Sequence, residues 1–478
     1  MLMFVTGFTI ALMLPWMMGI SWMYLIVHPW LSHSRSSLWL LLGYGYPLGM
    51  LGTTFLLRLG GVLGIKLDFA VYAALHIPLI LISLLAGWRI VRYHQGIHRE
   101  SSQIQGDAPL WHKWSVGLLL ALLAVRFGTI YLELAWRPLF AWDGWTFYAP
   151  PGRIWFELKE LVPMVAPDEW RAQEGAGVFT PFGHNRLPTI SLIYTWHALG
   201  LGEWNDALIN RPWLFCGVAL AMGFYGQART AGAGPLMAMV FVYILMSLPL
   251  VNVNMALAGY AEIWVATVFG FAFMAFSQWV QNRDPVQGGL AILFALLLIQ
   301  TKSSALAWVL LFLPAWIAAV LPHRLSLTIV GLALAGLLAL VWIGPNQALE
   351  IPRLGLVVSL HKILIPGLVE FELEYHSVWN AFIITDLIMD NWHLFWYLVL
   401  ALMLYGVASG LMFRRALFAP SLLLFCGFLF IYVVYFYTDR YIWAENWTQH
   451  NRALFHMVPM ICFHLLTLVQ EQIRRSQI

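Results

Sequence analysis

The sequence predicts an all-α polytopic membrane protein, and three observations carry that prediction. Of 478 residues, 61% are hydrophobic and only 10% are charged, whereas roughly a quarter of a soluble globular domain is charged. Mean hydropathy is +0.76. The apolar runs are long and do not alternate, and in hydrocarbon the backbone must satisfy its own hydrogen bonds, so they read as helices rather than barrel strands.

Apolar windows of about twenty residues fall at 3–27, 38–57, 69–92, 114–136, 208–227, 235–254, 259–280, 287–303, 304–321, 325–344, 393–413, 419–437 and 453–470, giving thirteen candidate spans. The first has no basic leader and no small-residue cleavage site, so it is expected to stay as a helix and not to be removed as a signal peptide. Lys and Arg mark cytoplasmic loops. Arg89, Arg92, Arg99 and Lys113 assign 93–113 to that side, as do Arg324, Arg414 with Arg415, and Arg474 with Arg475 for later ends. Loops 137–186, 345–392 and 438–452 then face outward, and 471–478 is a cytoplasmic tail. The turn 58–68 carries Arg58 and Lys66 and could lie on either side. Segment 187–202 is apolar, but a crossing there would put 322–324 and 414–418 outside against their charge. It is expected to lie at, or dip into, the outer interface. Residues 1–92 read as an added helical segment before the module 93–470. In 345–392, GLVVSLHKILIPGL at 355–368 reads as an interfacial amphipathic turn or two, followed by Glu370, Glu372 and Glu374 alternating with Phe371, Leu373 and Tyr375. A loop of that length in a compact protein is usually a lid or binding loop.

Composition also excludes several partners. Cys216, Cys426 and Cys462 lie within apolar runs, without metal-ligand spacing, so they read as packing residues and neither a disulfide nor a metal site is expected. A net charge of +3, dispersed along loop edges, argues against nucleic acid.

The polar stretch 135–188 is where such a chain can carry chemistry. Asp143, between Trp142 and Trp145, reads either as a solvated loop carboxylate or as a general base at the membrane edge. Ionisable groups in or beside spans are costly and are usually paired or functional. Arg126 and Glu133 share one face of a helix and could pair with neighbouring helices. Glu262 begins a span, where an acid suits the helix dipole. Lys302 separates two apolar stretches, Arg211 precedes a Pro at a helix start, and Arg452 begins the last span. Each alone could be an interfacial side chain reaching for water. Together they set three cations and two acids at one membrane face, a combination suited to a phosphate leaving group and an activated acceptor. Of the many Trp, most read as interface-belt residues, and one or two of Trp136, Trp142, Trp145, Trp155 and Trp170 could stack on a sugar.

From about 114 to 465 the chain resembles the GT-C membrane glycosyltransferases, in the group similar to aminoarabinose transferases, protein mannosyltransferases and rhizobial lipopolysaccharide core transferases. The resemblance rests on ordered motifs. Arg126 stands in the helix before the loop, and DGWTFYA at 143–149 matches a DExxYxxxA-like motif through Asp143 and Tyr148. HNRLPTISLIYTWHALGLG from His184 matches an HPPL-like segment. NRPW at 210–213, Glu262 in LAGYAEIWVA, TKSS at 301–304 and NRALFHMVP at 451–459 follow in the family's order.

The resemblance implies inverting transfer of a sugar from a polyprenyl-phosphate donor to an acceptor hydroxyl on a lipid, glycan or protein, at the outer face of a bacterial cytoplasmic (inner) membrane. It implies Asp143 as catalytic base, Lys302, Arg452 and Arg211 as donor-phosphate ligands, and Tyr148, His184 and Glu262 around the sugar and acceptor. Gly144 stands where an acid often follows the first Asp, which weakens a two-carboxylate metal site. No cofactor and no metal are therefore expected. A polymerase or ligase using lipid-diphosphate-linked glycans, and a lipid or sugar transporter, are the alternatives. The second lacks the paired repeats common in transporters.

Overall fold

The computed structural model describes residues 2–27, 36–95, 109–343, 349–351, 356–358, 362–365, 369–372 and 374–476. Helices run in the order α1 (Leu2–Val27), α2 (Ser36–Val62), α3 (Phe69–Gln95), α4 (Leu110–Trp136), a π-helical turn (Gly144–Tyr148) continuing into α5 (Ala149–Leu158), α6 (Pro167–Ala172), α7 (Thr189–Leu201), α8 (Pro212–Thr230), α9 (Pro235–Ser247), α10 (Pro249–Ala256), α11 (Glu262–Asn282), α12 (Pro285–Ile299), α13 (Ala305–Leu310), α14 (Phe312–Val320) and α15 (His323–Ile343). After a small sheet come α16 (Trp379–Phe382), a π-helical stretch (Ile383–Ile388), α17 (Phe395–Ala408), α18 (Arg415–Tyr437), α19 (Tyr441–Glu445) and α20 (His450–Ser476).

Every apolar window of the sequence holds helix, but fewer than thirteen are single spans. Among the described residues, seven helices are long and apolar enough to cross a bilayer, or eight if α9 and α10, bent by 63° at Leu248, count as one broken span. The chain is a multi-pass membrane protein on that ground. Part of the shortfall has a local cause: the polar break 301–304 separates α12 from α13, and a further break at Leu311 separates α13 from α14, leaving pieces shorter than about twenty residues.

Central helix α11 is almost wholly enclosed by protein, whereas α4 is mostly exposed on the periphery. Close backbone approach builds the packing, as expected where lipid gives helices no hydrophobic reason to associate. A Cβ on Gly43 of α2 would stand 2.2 Å from the Gly223 nitrogen of α8, so the two backbones touch there. Tyr44 stacks on Phe271 of α11 at 4.0 Å and accepts from Gln227 Nε2 at 2.9 Å, satisfying a polar group in the core. Trp196 of α7 donates to the Ala11 carbonyl at 2.7 Å. Helices α1 and α2 thus pack into the same core as the rest.

Three segments take definite form. Helix α7 is only 13 residues long and buried at every position, too short to cross a bilayer as one span. Its polar groups bond locally, Thr195 Oγ1 to the Ser191 carbonyl at 2.9 Å and His197 Nδ1 to the Ile193 carbonyl at 2.8 Å. The turn 58–68, open in the sequence, lies on the side of loop 137–186: Arg58 bonds the Thr189 hydroxyl and Leu67 N–H donates to the Lys159 carbonyl at 2.7 Å. Within 345–392, helical turns at 355–368 give way to an antiparallel meander of β1 (Leu349–Ile351), β2 (Leu356–Val358), β3 (Lys362–Ile365) and β4 (Val369–Glu372). The period-2 alternation around Glu370 and Glu372 was the strand signal.

The basic ends assigned to one side do gather. Arg414 Nη1 meets Glu471 Oε1 at 2.5 Å, Arg475 reaches the Ser409 carbonyl at 3.4 Å, and His323 packs on Phe418 at 5.7 Å. Much of 93–113, including Arg99, lies outside the described residues.

Candidate active site

Asp143 directly precedes the π-helical turn Gly144–Tyr148, a wide-turn geometry that recurs at functional sites. What fixes it is a contact between two glycines. Gly259, at φ +108°, sits in the turn between α10 and α11, and a Cβ on it would lie 2.5 Å from Gly144 Cα. A Cβ on Gly144 would in turn meet Leu139 Cδ1 at 2.9 Å and Gly259 Cα at 3.2 Å. Position 144 leaves no room for a side chain, because the α10–α11 turn lies against it. That contact sets Asp143 beside Tyr260 and Glu262.

Four charges then meet from four parts of the chain. Arg452, near the start of α20, bonds Asp143 Oδ2 at 2.9 Å and stands 3.6 Å from Glu262 Oε1. Lys302, from the break between α12 and α13, bonds the same Glu262 oxygen at 2.7 Å. Glu262 is fully buried at the first turn of α11, and its Oε2 has no hydrogen-bond partner. The Arg452 guanidinium also lies 4.1 Å over the Tyr260 ring, a favourable cation–π placement. Burial pushes the Asp143 carboxyl above the usual range; Arg452 opposes this, Glu262 adds to it and Lys302 opposes. Burial, with Glu262 and Asp143 nearby, also holds the Tyr148 hydroxyl well above its ordinary value, keeping it a neutral donor.

These groups open onto a cavity of about 850 Å³. Its lining is apolar at Trp308 of α13 and at Phe430 and Val434 of α18, and polar at Asp143, Tyr148, Lys302 and Arg452. Three further residues line it that the sequence did not single out: Arg186, Arg440 and His456. Arg440 is paired with Asp439 at 3.6 Å. Both ring nitrogens of His456 are buried without a partner. Their signals were present but weak: Arg186 and His456 sit inside the quoted segments, and Arg440 in an outer loop.

Two expected residues are elsewhere. Arg211, immediately before Pro212, turns toward α1 and α4, its guanidinium 4.7 Å from the Tyr131 ring and 5.1 Å from Phe8, and it does not line the cavity. His184 borders a second, smaller cavity. Arg126 donates to the Ser247 carbonyl at 3.0 Å, satisfying a backbone group at the α9–α10 bend, and Glu133 pairs with Arg137 at 3.0 Å. Trp142 and Trp145 are exposed and pack edge to face at 5.0 Å, while Trp155 donates to the Val162 carbonyl. Among the described residues no three of His, Cys, Asp and Glu are grouped so as to hold a metal ion. No protein-family model, no curated protein and no solved structure matches the chain.

Proposed function

We propose that the protein is a membrane glycosyltransferase that moves a sugar from a polyprenyl-phosphate donor to an acceptor hydroxyl. The acceptor is on a lipid, glycan or protein, the configuration inverts, and the reaction takes place at the outer face of a bacterial inner membrane. One observation carries the reading: a carboxylate and two cations from distant parts of the chain converge on one cavity that also has an apolar lining.

Each part has a task. The acceptor hydroxyl gives its proton to Asp143, whose Oδ2 is held by Arg452 and whose Oδ1 faces the acceptor. A raised carboxyl is the better base for this step. The hydroxyl oxygen bonds to the anomeric carbon from the face opposite the phosphate, and the bond from that carbon to the phosphate oxygen breaks. The electron pair leaves with the lipid phosphate, which goes from a singly charged diester to a monoester carrying more negative charge. Lys302 and Arg452, with Arg186 at the cavity edge, meet that developing charge, and stabilising charge that appears only in the transition state is what accelerates the step. Trp308, Phe430 and Val434 take the start of the isoprenoid chain, and Tyr148 and His456 bond the sugar. Glu262 holds Lys302 and Arg452 in place.

The test is transfer by purified protein in nanodiscs, from radiolabelled polyprenyl-monophosphate and polyprenyl-diphosphate sugars to membrane-extract acceptors. Transfer from a monophosphate donor is expected. Transfer from diphosphate donors alone would favour a polymerase or ligase, and none from either panel would overturn the proposal.

A further inference from the structure

We propose that the cavity beside His184 is a second binding site, which takes the oxyanion, phosphate or carboxylate, of an amphipathic ligand. On the transferase reading above, that ligand is the acceptor. The cavity encloses about 390 Å³ and is lined by Arg58, Arg186 and His184, with no carboxylate. Arg58 lies near the end of α2 and is half-buried. It bonds the Thr189 hydroxyl, yet its Nε is buried without a partner. Among the described residues neither Arg58 nor Arg186 has an ion pair with a carboxylate, although other arginines of this face do, Arg452 with Asp143 and Arg440 with Asp439. A half-buried guanidinium with donors unspent costs free energy unless an anion completes it, and its planar fork matches an oxyanion.

The rest of the cavity specifies the ligand's other part. Trp155, Leu161, Val162 and Met164 form an apolar lining, and Val62, at the mouth, is 85% exposed. A hydrocarbon chain entering past Val62 would place its oxyanion between the two arginines. Arg186 borders both this cavity and the one holding Asp143, so one side chain lines both sites.

The test is direct binding to the full chain in neutral-lipid nanodiscs, with octyl phosphate as the amphipathic probe, inorganic phosphate as the soluble one and octanol as the uncharged control. Saturable binding of octyl phosphate is expected, at least tenfold weaker in Arg58→Gln and in Arg186→Gln and largely restored in Arg58→Lys. Arg186 is exposed in a loop, so its variant keeps the test open should Arg58→Gln misfold. Undiminished binding in folded Arg58→Gln, or in Arg186→Gln should Arg58→Gln misfold, or no saturable binding to the native chain, would overturn the site. Inorganic phosphate or octanol binding as tightly as octyl phosphate would overturn the amphipathic, anionic ligand. Octyl phosphate binding intact in a protein that transfers no sugar would refute the transferase reading alone.

Discussion

Replacing Lys302 by methionine removes the nearer cation from a fully buried carboxylate, leaving Glu262 Oε1 with Arg452 at 3.6 Å in place of Lys302 at 2.7 Å. Its Oε2 already lacks a partner. Breaking a buried pair by removing one member costs about 3–5 kcal/mol, because the other charge stays buried. Arg452 offsets part of this, so a loss of about 2–3 kcal/mol is expected for Lys302→Met. Glu262→Gln leaves Lys302, whose side chain is 19% exposed and can turn toward water, so the loss is smaller, about 1 kcal/mol. In Lys302→Met with Glu262→Gln the stranded charge is gone, and the double variant should be more stable than Lys302→Met alone. The expected coupling is about 1–3 kcal/mol. Unfolding in mixed micelles with rising SDS, followed by circular dichroism, measures all four corners of the cycle. Additivity of the two substitutions within about 0.5 kcal/mol would refute the buried-pair argument.

Gly144→Ala pushes a methyl against Gly259 Cα at 3.2 Å and Leu139 Cδ1 at 2.9 Å; a loss of about 1–3 kcal/mol and of most transfer is expected, and a fully active, fully stable variant would contradict the glycine contact. In the π-helical stretch Ile383–Ile388, burial raises Asp386 from 3.8 to about 7. Between those values the folded chain holds a proton that the unfolded chain has lost, so stability falls as pH rises from 3.8 toward 7; thermal melts of Asp386→Asn should lack that slope. Residual transfer by Arg452→Gln should fail at a higher pH than native transfer as acid is added, because Arg452 is the strongest influence holding the Asp143 carboxyl down. An acid limb that stays in place would separate Asp143 from the pH profile.

The helices were legible because hydrocarbon leaves the backbone few options, and each apolar window holds one. Crossing was less legible, because a hydropathy window averages over short breaks such as 301–304 and Leu311, and a break decides whether twenty apolar residues form one span or two shorter pieces. Asp143, Glu262, Lys302 and Arg452 stood out because charge beside a span is expensive. Arg211 looked equivalent, yet the side to which a residue at a helix start points depends on how that helix packs, here toward Phe8 and Tyr131. Arg186 and Arg440 were hard to find for the opposite reason: a loop cation in the sequence is indistinguishable from any solvated one until the cavity it lines is formed. At 355–368 the run GLVVSLHKILIPGL is apolar without a clean alternation, which favoured helical turns over the strands Leu356–Val358 and Lys362–Ile365.

The central claim is that Asp143 is the base of a sugar transfer. The direct measurement compares native protein with Asp143→Asn in EDTA, on the polyprenyl-monophosphate donor that the native chain uses, with circular dichroism to confirm that both are folded. The expected result is native transfer that survives EDTA and falls at acid pH as Asp143 takes up its proton, with transfer by folded Asp143→Asn down by a factor of about 10² or more. Transfer undiminished in folded Asp143→Asn would contradict the account.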